Sequence, residues 1–215
     1  MIAAAGSGQR LGAGGPKAMV EVAGRAMIDW SLDAFRAAGS IGEIVVAAVP
    51  GQEGAISERG VVAVAGGEHR SQSVANALEL CRGEIVVVHD AARPLVTPGL
   101  IDAVVGELAA EEDAAAVIAA TPVTDTIKRA ADGGRVERTL DRSGLWVVQT
   151  PQAFRARVLR DALADADSLS DATDDAMLVE RRGGRVLIHS TSPDNLKVTR
   201  PFDLRVAELL LRECG

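Results

Sequence analysis

Within the opening stretch MIAAAGSGQRLGAGGPK, a short apolar run leads at once into Gly6, Ser7, Gly8, Gln9, Arg10, Leu11 and Gly12, and Lys17 follows on the same loop. Glycines accept positive φ and let a ligand approach backbone that a Cβ would shield. Successive N–H groups in such a loop converge on a concavity that binds anions. Neutral amides do not balance several phosphate charges, so fixed cations are expected beside them. Arg10 and Lys17 supply a planar fork and a compact point charge, both suited to phosphoryl oxygens. The spacing is not a Walker pattern, because no GK[ST] closes the glycine run. A dinucleotide site would start a helix at the loop and end its second strand in an acidic residue. Here the loop continues through Ala13–Gly14–Gly15–Pro16, and the second apolar run ends in Val49–Pro50. The segment reads as a triphosphate cradle.

Other polar groups recur at the ends of apolar runs. Ala65–Gly66–Gly67 opens into Glu68, His69, Arg70, Ser71, Gln72 and Ser73 ahead of a helical pattern. Ser71 or Ser73 is expected to cap that helix, whose N-terminus suits anionic or polar ligand groups. Plain capping by Ser73 is as good a reading as ligand contact, and Arg70 alone reads as a solvated arginine. The run Ile85–His89 ends in Asp90–Ala91–Ala92–Arg93–Pro94. Ligands of open α/β sheets lie beyond the carboxyl ends of the strands, where these residues fall. Asp90 is then a carboxylate for a metal or a hydroxyl, or a turn or helix cap. Thr173 reads as an N-cap, with Asp174 and Asp175 favouring the helix dipole. Lys197 lies between a strand-like run and the last helix, a cation at the sheet mouth or a surface lysine.

These residues need a scaffold. Strand-like runs fall at Met1–Ala5, Glu43–Val49, Val61–Ala65, Glu84–His89, Ala114–Ala120, Leu145–Gln149 and Arg185–Ser190. Helical patterns fall between them, at Met27–Ala38, Ser71–Cys81, Pro98–Glu111, Ala156–Ala166, Asp174–Arg182 and Pro201–Arg212. Continuous Val and Ile runs alternating with helices predict an α/β domain with a mainly parallel sheet. Residues 123–144 break the rhythm, being polar with a turn at Asp132–Gly133–Gly134. Thr126–Lys128 and Val136–Leu140 are expected to form a hairpin arm. A lone hairpin is barely stable in water, so the arm predicts a homodimer.

At 215 residues the chain suits one domain, 1–215. Three Phe, two Trp and no Tyr leave few faces for base stacking, and a net charge of −7 opposes phosphate-backbone binding, so no nucleic-acid partner is expected. Cys81 and Cys214 form no CxxC pair, which argues against a disulfide framework or a zinc site. Cys81 reads as a small buried residue and Cys214 as a loose terminal one. With no apolar run of about 20 residues and no basic leader, the expectation is a cytoplasmic protein without a membrane partner.

In order along the chain, AAGSGQRLGAGGPK, GGEHRSQSV, VHDAARP, DTIKR, LDRSGLW, QTPQAF, TDDAMLVE and NLKVTRPFDL resemble the 2-C-methyl-D-erythritol 4-phosphate cytidylyltransferases. VHDAARP and QTPQ are shared with related polyol-phosphate cytidylyltransferases, whereas DRSGLW, TDDA and NLKVT point to the methylerythritol enzymes. The resemblance implies a Rossmann-like domain whose β-arm builds a dimer. It implies transfer of CMP from CTP to the polyol phosphate with loss of pyrophosphate, assisted by a divalent cation, usually Mg²⁺, held through the nucleotide phosphates. It further implies that Arg10 and Lys17 stabilise the reacting triphosphate, while Arg142 and Lys197 position the nucleophile. Ala4, Ala5, Gly6, Gly8, Gly67, Glu68, Ser73 and Asp90 would then hold the nucleotide. Asp90, Arg93, Thr126, Arg142, Thr173, Lys197 and Thr199 would surround the polyol phosphate, with Thr126 and Arg142 reaching across to the partner subunit. Ala18 departs from the Gln common after the PK of the first motif, and Gln9 stands where some relatives carry a second cation. Three rivals stand beside this reading. They are a ribitol-5-phosphate-type cytidylyltransferase on the same fold, a dinucleotide-dependent oxidoreductase, and a non-catalytic nucleotide-binding or structural protein.

Overall fold

Runs of Val, Ile and Ala build the centre of the fold because both faces of their strands can be covered. The computed structural model describes residues 1–12, 14–164 and 172–213, and of Arg10 the backbone alone. In chain order the strands are β1 (Ile2–Ala4), β2 (Glu21–Val22), β3 (Arg25–Ala26), β4 (Val45–Ala48), β5 (Val62–Ala65), β6 (Ile85–Asp90), β7 (Ala116–Pro122), β8 (Lys128–Ala130), β9 (Val136–Thr139), β10 (Trp146–Arg155) and β11 (Val186–Ser190). The helices are α1 (Met27–Ala37), α2 (Glu53–Ser57), α3 (Arg70–Leu78), α4 (Pro98–Ala110), α5 (Ala156–Leu163), α6 (Asp175–Arg181) and α7 (Pro201–Glu213). Seven strands form the central sheet in the order β11-β7-β10-β6-β1-β4-β5. All neighbours pair in parallel except β10, which runs antiparallel to both β6 and β7.

The two-residue period of the strands sorts the core into two layers. Val46, Val87 and Val117 pack with Ile28, Leu32 and Phe35 of α1 and Ile101, Val104 and Leu108 of α4. Val45, Val86, Val88 and Ile118 face the other way, onto Val74 and Leu78 of α3, Leu159 of α5 and Leu178 of α6. A smaller cluster joins Leu11 of the glycine loop to Val22, Met27, Val198, Ala207 and Leu211. This third cluster ties the loop to α7 and to the segment that carries Lys197.

The expected strands of the central sheet and the expected helices are present, and the single α/β domain follows. Four features differ from expectation. The first strand of the arm runs Lys128–Ala130 rather than Thr126–Lys128. β10 extends to Arg155, well past Gln149, across a register shift between Val148 and Gln152 and a cis Thr150–Pro151 peptide. The β2–β3 hairpin and α2 were not expected. Residues 165 and 166, the last two of the helix expected over Ala156–Ala166, and Cys214 lie outside the described residues. Cys81 is buried with a free thiol, as expected.

The arm is a hairpin of β8 and β9, in which Lys128 opposes Thr139 and Arg129 opposes Arg138. Its turn holds Gly133 and Gly134, both at φ 77°, a conformation that favours glycine. Every residue of the two strands is exposed, including Val136.

Candidate active site

β1 is the point where the order of connection reverses: β4 lies on one side of it and β6 on the other. A crevice opens beyond the carboxyl ends of strands at such a reversal. It takes the form of two adjoining hollows. The larger, about 540 Å³, is lined by the glycine loop from Ala4 to Gln9, by Lys17, by Gly67, Glu68 and Ser73, and by Thr199. The smaller, about 390 Å³, is lined by Arg93, Val148, Gln149, Thr150, Gln152 and Thr173. Arg70, Asp90 and Lys197 line both and form the wall between them.

The glycine loop closes on itself. Lys17 N donates to Gly6 O at 2.9 Å, and Leu11 N to Gly8 O at 2.9 Å. Gly8 sits at φ 72°, and a Cβ there would lie 3.0 Å from Gly15 O. The loop bends into a 3₁₀ turn, Gln9–Leu11, rather than opening an α-helix, which sets it apart from a dinucleotide loop. The side chain of Arg10 lies outside the described residues. Opposite this loop, Ser73 Oγ accepts from Gly67 N at 3.0 Å and donates to His69 O at 3.1 Å. His69, not a serine, occupies the N-cap of α3, because the helix starts at Arg70. That corrects the capping expected of Ser71 or Ser73: Ser73 instead secures the second glycine turn against the helix. A Cβ on Gly66 would meet Ala5 Cβ at 2.4 Å and Ser73 Oγ at 2.9 Å. Gly66→Ala is expected to cost about 1–3 kcal/mol of stability by overpacking, as a lowered urea midpoint will show, and to weaken any ligand held between the two turns.

The wall is a charged row. Asp90 Oδ1 accepts from Arg70 Nε at 2.8 Å, and Oδ2 from Lys197 Nζ at 2.6 Å. Burial would raise the Asp90 pKa, but the two cations outweigh it and hold the carboxyl well below its ordinary range. Arg70 Nη1 also donates to Asp175 Oδ2 at 2.6 Å. Arg70 is therefore an internal tie, not the solvated side chain its sequence position suggested. Asp175 is wholly buried, not a surface partner of the helix dipole. The cap of α6 is Asp174, which accepts from Met177 N at 3.0 Å. Thr173, one residue earlier, is thus not the N-cap and faces the smaller hollow instead. Arg93 is anchored by Nη1 to Asn195 O at 2.7 Å and by Nη2 to Val148 O at 3.3 Å. Asp203 Oδ2 accepts from both the amide and the hydroxyl of Thr199, so the first turn of α7 holds the segment that bears Lys197.

His89 lies beneath this wall. Thr150 Oγ1 accepts from Asp90 N at 3.0 Å, which leaves its proton for His89 Nδ1, 3.1 Å away. The ring proton then sits on Nε2, facing Arg93 O at 3.2 Å. Burial, opposed by the charge of Asp90, takes the His89 pKa from 6.5 down to about 3. In the unfolded chain the ring takes up a proton below about pH 6.5, whereas in the folded chain it does so only near pH 3. Stability is therefore expected to fall as pH drops through that window and to level off below it. Urea midpoints at about pH 7 and about pH 5 will check this, since His89→Gln should show the smaller acid loss.

The structure brings together Ala4, Ala5, Gly6, Gly8, Lys17, Gly67, Glu68, Ser73, Asp90 and Thr199 around the larger hollow, and Arg93, Thr173 and Asp90 around the smaller, with Lys197 on both. Thr126 and Arg142 are exposed on the arm and are not among the described residues lining either hollow of their own chain. Arg142 Nη1 donates to Thr124 O. Sequence reasoning missed Asp175, Thr150 and Gln152. The first carried a signal only as the second Asp of TDD, and the other two lay within QTPQ.

The geometry agrees with comparisons to known proteins. A family model described as 2-C-methyl-D-erythritol 4-phosphate cytidylyltransferase (IspD) matches residues 1–213. A Saccharopolyspora erythraea protein of that name is 44% identical, over 98% of this chain and 97% of its own. One from Prochlorococcus marinus (strain MIT 9313) is 41% identical, over 98% and 96%. Among solved structures, the cytidylyltransferase of Thermus thermophilus superposes with a TM-score of 0.81 at 36% identity, covering 99% of this chain and 98% of that one. The Anaerococcus prevotii 4-diphosphocytidyl-2C-methyl-D-erythritol synthase gives a TM-score of 0.84 at 27% identity, over 98% and 94%. With likeness along nearly its whole length, the chain belongs to the 2-C-methyl-D-erythritol 4-phosphate cytidylyltransferase family.

Proposed function

We propose that this protein transfers CMP from CTP to 2-C-methyl-D-erythritol 4-phosphate, releasing pyrophosphate and forming 4-diphosphocytidyl-2-C-methyl-D-erythritol. The observation that carries the reading is the wall of Arg70, Asp90 and Lys197 shared by two hollows. The nucleotide occupies the larger hollow, its triphosphate on the glycine loop beside Arg10 and Lys17. Ala4, Ala5, Gly67, Glu68 and Ser73 lie around its nucleoside. The polyol phosphate occupies the smaller hollow, near Arg93, Thr173 and Asp90.

An oxygen of the acceptor's phosphate attacks the α-phosphorus of CTP. The bond from that phosphorus to the bridging oxygen breaks, and pyrophosphate leaves with the electron pair. A phosphate monoester is already largely dianionic near pH 7, so no strong base is needed. The barrier lies in bringing a dianion to a polyanion, and catalysis is positioning plus charge neutralisation. Lys17 and Arg10 neutralise the charge that builds on the departing pyrophosphate. Lys197, moving from Asp90 to the incoming phosphate, holds the nucleophile in line.

Among the described residues no trio of His, Cys, Asp or Glu stands together as a metal cage. Glu68 and Asp90 are carboxylates on the larger hollow, and Mg²⁺ commonly binds through substrate phosphates with one or two carboxylates. A divalent cation carried by CTP fits this donor set and would supply further positive charge on the triphosphate.

The exposed arm supports a homodimer, in which Thr126 and Arg142 complete the acceptor site of the partner. No helix among the described residues is long and apolar enough to cross a membrane, and we place the reaction in the cytoplasm. The test is pyrophosphate release with CTP and methylerythritol phosphate, against UTP, ATP and ribitol 5-phosphate controls. Release is expected to be fastest with the first pair. No release with it, or faster release with ribitol 5-phosphate, would overturn the assignment.

A further inference from the structure

Asp175 has an unusual setting for a carboxylate. It is wholly buried, Oδ2 is bound to Arg70, and Oδ1 has no hydrogen-bond partner among the described residues. A buried anion with idle acceptor capacity is costly, and its neighbours on α6, Ala176, Leu178 and Val179, are ordinary core residues. Its one evident task is to hold the guanidinium whose Nε touches Asp90. Asp175, Arg70, Asp90 and Lys197 thus alternate in sign, in a row from the core to the wall between the hollows.

The division of the fork matters. Arg70 gives Asp90 one N–H, on Oδ1, and that leaves Oδ2 for Lys197. Once the carboxylate at 175 is removed or neutralised, the guanidinium can turn so that Nε and Nη2 grip both oxygens of Asp90, the preferred geometry of such pairs. That grip would displace Lys197. We propose that Asp175 is a positioning residue for the transfer: by holding Nη1 it fixes the orientation in which Nε alone meets Asp90, keeps the other oxygen for Lys197 and so poises that ammonium for the acceptor phosphate. The inference rests on the function proposed above.

The test is steady-state pyrophosphate release by Asp175→Asn, Lys197→Met and the double variant, with thermal unfolding as the control for folding. Asp175→Asn is expected to raise KM for the polyol phosphate about tenfold or more and to lower kcat, leaving KM for CTP within about twofold. Added to Lys197→Met it should cost little further, because it acts through Lys197. Equal changes in both KM values, costs that add in the double variant, or wild-type kinetics in Asp175→Asn would each overturn the proposal. Should Asp175→Asn fail to fold, Arg70→Lys, which keeps the charge but cannot divide a fork, is expected to give the same split between substrates, and an even loss would overturn the idea. A wild-type protein that releases no pyrophosphate would defeat the functional reading itself, whereas an active wild type beside an unaltered Asp175→Asn defeats this inference alone.

Discussion

Replacing Lys17 by alanine lowers turnover on the order of a hundredfold or more, the scale of losing one preorganised donor at a centre of developing charge. The variant removes the ammonium. The loop is closed by the backbone of Lys17, whose amide donates to Gly6 O, and alanine keeps that bond. The residue lies on the larger hollow, where the departing pyrophosphate would sit, so the loss should fall on kcat and be partly hidden in KM for CTP. Arg10→Ala is expected to act on the same scale, because the fork and the point charge neutralise different oxygens. Single-turnover rates at saturating CTP, with unfolding midpoints as a control, decide the matter. Near-normal turnover in both variants would mean that the loop only binds.

Mixing two crippled proteins is expected to restore activity. Arg142 is exposed on its own arm and bonded to Thr124 O, while Lys197 stands in the wall of the hollows. If the acceptor site draws Arg142 from one subunit and Lys197 from the other, each homodimer of Arg142→Ala or Lys197→Ala lacks one phosphate contact in both sites. Losing a hydrogen bond to a charged group then costs roughly ten- to a hundredfold in rate. A mixed dimer carries both losses in one site and neither in the other. Random reassembly makes about half of the dimers mixed, so activity should return to roughly a quarter of wild type. The readout is pyrophosphate release after the two variants are unfolded and refolded together, with each refolded alone as its baseline. No gain on mixing would place both residues in the service of one chain, or Arg142 in no site at all.

Some of this was legible in the residues. A backbone that must turn sharply and approach a ligand calls for glycine in sequence, so the loop around Gly6 and Gly8 announces itself locally. Strands covered on both faces need unbroken apolar runs, and Val45–Ala48 and Ile85–Val88 show them directly. The hairpin arm was visible because its turn glycines interrupt a polar stretch. β10 was cut short for the converse reason. Pro151 cannot donate to a ladder and reads as the end of a strand, yet pairing resumes at Gln152 opposite Val88 and Ile118.

The charge relations at the wall were not legible, because each depends on partners distant along the chain. Arg70 meets Asp90 across 20 residues and Asp175 across 105, and Lys197 meets Asp90 across 107. At a helix start, an aspartate reads equally as a dipole partner, as a cap or as a buried ion. Asp174 and Asp175 are adjacent yet take two different roles, and only the way α6 packs against the sheet and α5, bringing Asp175 to Arg70 of α3, tells them apart. Local backbone demands are written in neighbouring residue types, whereas burial and pairing arise only when separate elements converge.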